Sequence, residues 1–152
     1  MESLTLNEVE MAELHFIKGS ININANADRV WSALTDPDKI KIYLGSSPNS
    51  DWQPGSDITW TIEQAGITTI DKGKVLENIP NKTLQYSYWS GASGTEDNGD
   101  NYSRISWTLE HSMEGLTTLN YLRENIPTLE ERAMLDEHLP AMLDEIKRLA
   151  ES

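Results

Sequence analysis

Three histidines, His15, His111 and His138, are the side chains of this 152-residue sequence best suited to bind a metal or to transfer a proton near neutral pH. They lie on three separate predicted elements and form neither HExxH nor any other compact ligand spacing. Cysteine is absent, which excludes disulfides and thiolate metal sites. The sequence therefore predicts no metal site, no catalytic residue and no resident cofactor.

The segment GASGTEDNGDN, residues 91–101, combines glycines, one serine and acidic residues. It lacks the spacing of a serine nucleophile elbow and follows a strand without opening a helix. Its second half is acidic like a calcium loop, but the spacing misses the EF-hand pattern. We interpret the segment as a long solvated hairpin loop, with mobility beside a cavity mouth as the functional alternative.

Four large aromatic side chains share the predicted inward side of neighbouring strands: Trp60, Tyr86, Tyr88 and Trp107. Core packing alone would explain any one of them. Four amphipathic rings are nevertheless many for one sheet face, and each buried hydroxyl or indole nitrogen needs a partner. An apolar pocket with a few polar groups would satisfy them, and this is the usual form of a small-molecule site.

The C-terminal segment contributes three further candidates. From Thr128 onward, apolar residues at spacings of four and three predict a long amphipathic helix, with a kink or a new first turn at Pro140. Met134, His138 and Met142 form a row along one edge of this helix, where methionine adapts well to ligands. His138 either bonds a ligand or lies partly exposed at the helix edge. We predict that Leu135, His138 and Met142 face the four aromatic residues across a ligand site.

A half-buried strand is predicted near the start of the chain, where Ile17, Ile21 and Ile23 alternate with polar residues. Residues 1–14 are polar and weakly patterned, so we expect a mobile tail or an added edge piece there. No function is assigned to them.

The stretch ADRVWSALTDPDKI, residues 27–40, predicts two short helices in succession. Asn26 is a good N-cap for the first helix. Asp36 and Pro37 end that helix and begin the second, for which Gly45 supplies a left-handed stop. The large apolar residues of the first helix lie on one face: Val30, Trp31 and Leu34.

The middle of the chain alternates with a period of two, which predicts a meander of strands and a largely antiparallel sheet. We expect an irregularity at Lys72-Gly73. With the helices, these strands predict an α+β domain in which one long helix covers one face of the sheet. The strand segments are 58–62, 67–79, 84–88, 105–109 and 116–122.

The last of these strands has two possible inward sets. Leu116, Thr118 and Asn120 form one set. The other set is Thr117, Leu119 and Tyr121. Their patterns are comparable, so both alternatives stay open.

The charge balance limits the possible partners. With 25 acidic and 12 basic residues the net charge is −13, which repels phosphate backbones and makes nucleic acid an unexpected partner. No run approaches the roughly 18 apolar residues of a membrane span, so no membrane association is expected. The N-terminus lacks the pattern of a signal peptide, and a cytoplasmic location fits best.

Three segments, in order, resemble the family of activators of heat-shock-protein ATPase homologues, within the START-like or SRPBCC superfamily. They are ADRVWSALTDPDKI, GKVLENIPNKTLQYSYW and HLPAMLDEIKRLAES, which match the helix pair, the central hairpin and the terminal helix of that family. The resemblance implies a helix-grip fold over residues 15–152 as one domain. In this fold a curved antiparallel sheet wraps around the terminal helix, two short helices close one side, and a cavity often remains between them.

The sequence departs from the family at positions that would reshape a cavity. Many relatives carry Trp at the position of Tyr43, and Gly-Trp at the position of His138-Leu139. We predict non-enzymatic binding of a small, largely hydrophobic ligand between sheet and helix. One alternative is an interaction protein of the chaperone-modulator type that uses its acidic surface on a basic partner. Another is an enzyme like the cyclases and hydratases of the superfamily.

Overall fold

The computed structural model describes residues 15–152. Seven strands and three α-helices follow one another in this part of the chain. In chain order they are β1 (Ile17–Ile23), α1 (Ala27–Thr35), α2 (Pro37–Leu44), β2 (Pro48–Asn49), β3 (Asp57–Gln64), β4 (Ile67–Ile79), β5 (Thr83–Tyr88), β6 (Ser103–Met113), β7 (Leu116–Glu124) and α3 (Leu129–Glu151). The predicted N-terminal tail, residues 1–14, lies outside the described residues.

The strands form one curved sheet in the order β1-β7-β6-β5-β4-β3-β2, and every neighbouring pair is antiparallel. Helix α3 packs against β1 and α1. This arrangement confirms the predicted α+β class, with two short helices after the first strand and a long C-terminal helix. None of the helices within residues 15–152 is both long and apolar enough to cross a membrane.

The ends of the two short helices follow from local chemistry. The Asp36 carboxylate accepts a hydrogen bond from the Asp38 backbone N–H at 2.9 Å and caps α2. Gly45 ends α2 in the left-handed region, with φ of 86°. Asn26 stands at the N-cap of α1, but its side chain accepts from the Gly115 N–H at 2.9 Å instead of capping the helix. That bond ties the start of α1 to the turn between β6 and β7.

Trp31 lies half-buried on α1 and packs against the core, beside the fully buried Val30 and Leu34. We expect Trp31→Ala to lower the free energy of unfolding by about 2–3 kcal/mol, below the range of about 3–5 kcal/mol for fully buried rings, because part of the ring stays in water. Denaturant melts would measure the loss, with Trp31→Phe as the control that keeps a ring in place. A loss below about 1 kcal/mol would contradict a packing role for Trp31.

Helix α3 begins at a side-chain cap, because the Thr128 hydroxyl accepts a hydrogen bond from the Glu131 N–H at 3.1 Å. The helix continues through Pro140 to Glu151. Strand β1 comes close to this helix at Gly19, where an added Cβ would lie 2.9 Å from Leu139 Cδ2. The fully buried side chains of α3 all lie from Leu139 onward: Leu139, Leu143, Ile146 and Ala150.

The structure shows which side of β7 faces the core. Thr117, Leu119, Tyr121 and Arg123 are buried, and they alternate with partly exposed residues. One of the two open alternatives is therefore correct, and it extends one step further to a buried arginine. The hairpin register shifts between His111 and Met113.

The predicted irregularity at Lys72-Gly73 is wrong, because the register of β4 shifts between Val75 and Glu77. Gly73 pairs regularly with Ile58 in the β3–β4 ladder. Its small size serves a different purpose, since any Cβ at this position would collide with the Ser87 carbonyl oxygen. The glycine permits close approach of two backbones and does not mark a bulge.

Candidate functional site

A cleft of about 460 Å³ opens between α3, α2 and the inner faces of β1 and β7. Its walls are mainly apolar and aromatic, with a few ionisable side chains among them. The rim is partly exposed, as Ile42 on α2 shows with 55% of its surface accessible. The lining residues are Ile17, Ile42, Tyr43, Tyr121, Arg123, Leu135, His138, Leu139, Ala141, Met142 and Glu145.

Two tyrosines from different elements line the cleft. Tyr43 comes from α2 and donates its hydroxyl hydrogen to the Ala33 carbonyl oxygen at 2.8 Å, which fixes the ring against α1. Tyr121 comes from β7, and its ring centroid lies 4.6 Å from that of Trp107. Burial raises the pKa of both phenols, so both are neutral at physiological pH.

Arg123 lies two residues after Tyr121 on the same face of β7 and is only 7% exposed. Its Nε donates to the Ser103 hydroxyl oxygen at 3.1 Å. The guanidinium carbon lies 5.0 Å from the centroid of the Tyr88 ring, a cation–π distance. One terminal nitrogen lies 3.7 Å from a carboxylate oxygen of Glu131 in the first turn of α3, which is an ion pair beyond hydrogen-bond range.

An aromatic cluster lies on the inner face of β3, β5 and β6. The Trp107 Nε1–H donates to the Tyr86 hydroxyl oxygen at 3.2 Å, so each group has a partner. Trp60 is 2% exposed and stands edge-on to Tyr88, with ring centroids 5.1 Å apart. Trp60 Nε1 has no hydrogen-bond partner among the residues that the structure describes. The cluster is densely packed and retains one unsatisfied donor.

A buried carboxylate anchors one end of this cluster. Asp71, 3% exposed, accepts hydrogen bonds from the Tyr88 hydroxyl and from the Gly91 N–H. Burial, together with the hydrogen bond to Asp71, raises the pKa of Tyr88 far above its ordinary value. Tyr88 therefore remains a neutral donor at physiological pH and fixes Asp71 in place.

The family described as "Activator of Hsp90 ATPase homolog 1-like protein" matches residues 24–151, most of the chain. The chain belongs to this family. No curated protein matches it. Among solved structures, the AHSA1-type chain is similar to ChR145 from Cytophaga hutchinsonii, with 32% identity over 90% of this chain and 93% of that one, and a TM-score of 0.77.

Two more distant structures share the fold. The Aha1 dimer from Colwellia psychrerythraea is 23% identical over 90% of the AHSA1-type chain and 96% of its own, with a TM-score of 0.68. Protein CV1439 from Chromobacterium violaceum is 19% identical over 91% and 98% of the two chains, with a TM-score of 0.73. The family resemblance read from the three sequence segments is thereby confirmed.

The structure divides the seven predicted site residues of the AHSA1-type chain into two groups. Leu135, His138 and Met142 line the cleft, with His138 exposed at its edge and the other two half-buried. The other group does not line the cleft but forms the aromatic cluster: Trp60, Tyr86, Tyr88 and Trp107. A ligand-binding role stays a prediction for all seven residues.

Arg123, Tyr43 and Tyr121 were not among the predicted site residues. Tyr43 was singled out only as a departure from the family at a position that would reshape a cavity, and the structure places it in the cleft wall. Tyr121 belonged to one of the two open sets on β7. The alternation of Thr117, Leu119 and Tyr121, continued by two residues, leads to Arg123.

The acidic loop predicted as solvated lies away from the cleft of this AHSA1-type domain. Its Asp97 pairs with Lys72 at 2.8 Å and accepts from the Tyr102 hydroxyl at 2.5 Å. No residue of 90–101 lines the cleft. Within residues 15–152, no group of three or more His, Asp or Glu side chains is arranged to hold a metal ion.

Proposed function

We propose that this AHSA1-type domain binds a small, largely apolar molecule in the cleft between α3 and the sheet, without catalysis. The observation that carries the proposal is the volume of about 460 Å³ with its lining of aliphatic and aromatic side chains around a few polar groups. Such volumes and linings are typical of small-molecule sites, which range from about 300 to 1,000 Å³. A cytoplasmic location is part of the proposal.

Two further features favour a ligand over a solid core. Met142 and Leu135 are only half-buried although they face the sheet side of the helix, so an apolar occupant would remove more of their surface from water. Ile42 on the α2 side of the cleft is 55% exposed, so the same occupant would cover apolar surface there as well.

Thermal-shift measurements with fatty acids, flavonoids, sterols and aromatic polyketides should find at least one class that raises the melting temperature. A ligand that binds only the folded state stabilises it by roughly 2.7 kcal/mol at a concentration about a hundred times its dissociation constant. Tryptophan emission should shift with binding, because the cluster next to the cleft contains Trp107 in contact with Tyr121.

Met142→Trp should fill the cleft and abolish the response while the protein stays folded, although overpacking costs about 1–3 kcal/mol if the space is small. Met134→Trp is the matched control, since Met134 lies on the same helix, is 51% exposed and does not line the cleft. The proposal fails if no hydrophobic class stabilises the wild type and Met142→Trp unfolds it.

A chaperone-modulator role is the second candidate, favoured by the family and by the net charge of −13, which suits a basic partner. This role requires no empty cleft. Failure of the ligand screen, together with salt-sensitive binding of a purified chaperone, would favour it.

A further inference from the structure

The buried charge of Arg123 is the feature of the cleft that apolar ligand binding alone leaves unexplained. A guanidinium that is 7% exposed has lost most of its hydration, and such a loss is costly unless hydrogen bonds and an opposite charge replace it. The positive charge of Arg123 lowers the pKa values of the Tyr86, Tyr88 and Tyr121 hydroxyls, although burial raises these values by more. Arg123 therefore lies among tyrosines, at the boundary between the cleft and the aromatic cluster.

The partners that Arg123 has are incomplete. A guanidinium carries five N–H donors. Within residues 15–152 the Nε–H donates to Ser103, and a contact with the Tyr121 hydroxyl lowers the pKa of that phenol. The Tyr88 ring covers the guanidinium but accepts no conventional hydrogen bond. The one carboxylate paired with it, Glu131, stays at 3.7 Å. Among residues 15–152, no carboxylate therefore lies at hydrogen-bond distance from the terminal nitrogens.

The geometry of the unused donors favours one chemical group. The two terminal nitrogens of a guanidinium form a planar fork that matches the two oxygens of a carboxylate. Nε is already held by Ser103, so the terminal nitrogens are oriented before a ligand arrives. The apolar side chains of Ile17, Leu139 and Met142 line the same cleft, and Ile17 is the residue opposite Arg123 in the β1–β7 ladder.

We infer that the ligand is a carboxylic acid with an apolar body, whose carboxylate binds Arg123 and whose body lies along α3. This inference rests on the proposed function, since it names the ligand class of the same cleft. In the free protein the Glu131 carboxylate lies 3.7 Å from the guanidinium of Arg123, and it moves away when the carboxylate of the ligand binds there.

Calorimetric titration of the full chain with laurate, methyl laurate and lauryl alcohol tests the inference, because the three probes share one apolar body. Wild type should bind laurate at least about tenfold more tightly than the ester or the alcohol, as expected for a hydrogen-bonded charge pair. Arg123→Met should remove this preference, because it weakens laurate binding at least about tenfold more than ester binding.

Glu131→Gln provides an independent measurement that leaves the arginine intact. Removing the competing carboxylate should strengthen laurate binding several-fold without affecting the ester. If Arg123→Met does not fold, the wild-type preference and the Glu131→Gln effect decide the matter. Equal binding of laurate and its ester by wild type would overturn the inference while leaving the proposed apolar site intact. Absence of binding by all three probes would count against both.

Discussion

Raising the pH above about 10 should unfold this protein cooperatively, because its buried tyrosines resist ionisation only in the folded state. Burial raises the pKa of four phenols, Tyr43, Tyr86, Tyr88 and Tyr121, and for the first three it lies well above the ordinary value. A folded-state pKa above the unfolded one contributes stability that is fully present below about pH 10 and is lost as the pH rises toward the folded value. Between its unfolded and its folded pKa, each phenol lowers the free energy of unfolding by about 1.4 kcal/mol for every pH unit.

Two pH units above the unfolded pKa, Tyr86 and Tyr88 alone remove about 5 kcal/mol, which is comparable to the whole stability of a marginal domain. Ultraviolet absorbance should therefore show tyrosinate appearing together with the loss of circular dichroism. Tyr121→Phe should make the fall in stability less steep, by about one phenol's share. Ionisation of all the tyrosines near pH 10 in a protein that stays folded would show that these side chains are accessible to solvent.

Gly73→Ala should destabilise the protein by about 3 kcal/mol or more, at the upper end of overpacking effects. A methyl group at Gly73 meets the Ser87 carbonyl oxygen, and backbone cannot move aside as a flexible side chain can. The β4 and β5 backbones must separate to accommodate the methyl group, which strains the sheet beneath Trp60. Urea denaturation monitored by circular dichroism measures the loss.

Gly99→Ala is the matched control, since an added Cβ there has no neighbour within 4 Å among the described residues and the glycine has no positive φ. That change should alter the free energy of unfolding by less than about 0.5 kcal/mol, as exposed substitutions do. Equal losses for the two variants would contradict the backbone contact at Gly73.

Helix ends were predictable because the residues that form them act on neighbours in the sequence. Asp36, Pro37 and Gly45 each work within one turn of the second short helix, and the structure confirms all three. Thr128 at the start of α3 belongs to the same kind of local signal. Asn26 shows the limit of such signals, since its side chain bonds a turn that is 89 residues away in sequence.

The inward side of β7 depends on a single extra residue in β6. The turn at Glu114-Gly115 pairs Met113 with Leu116, and an unbroken ladder from there would place Trp107 opposite Leu122. The shift between His111 and Met113 instead places Trp107 opposite Tyr121, which turns Tyr121 and Arg123 inward. Ser112 carries no residue-type signal for a bulge, so the sequence left the side undecided and the arginine unnoticed.

The alternating pattern of the strands also could not predict where the cleft lies. Period two tells which side of a strand a residue faces, but not whether the space in front of it is filled. Trp60, Tyr86 and Tyr88 face inward as predicted and fill their space with one another. The open space lies instead between α3, α2 and the inner faces of β1 and β7. Its size depends on the distances between these elements, which no local sequence pattern encodes.

The fully buried residues of α3 lie from Leu139 onward, so its first ten residues, from Leu129 to His138, are held by weaker contacts. These include the Glu131 ion pair and the hydrogen bond from Arg132 to the Phe16 carbonyl oxygen. The helix is thus anchored from Leu139 onward, and its N-terminal end contributes no fully buried side chain to the core. For the proposed ligand, the N-terminal end of α3 is therefore the part of the cleft wall whose displacement breaks the fewest buried contacts.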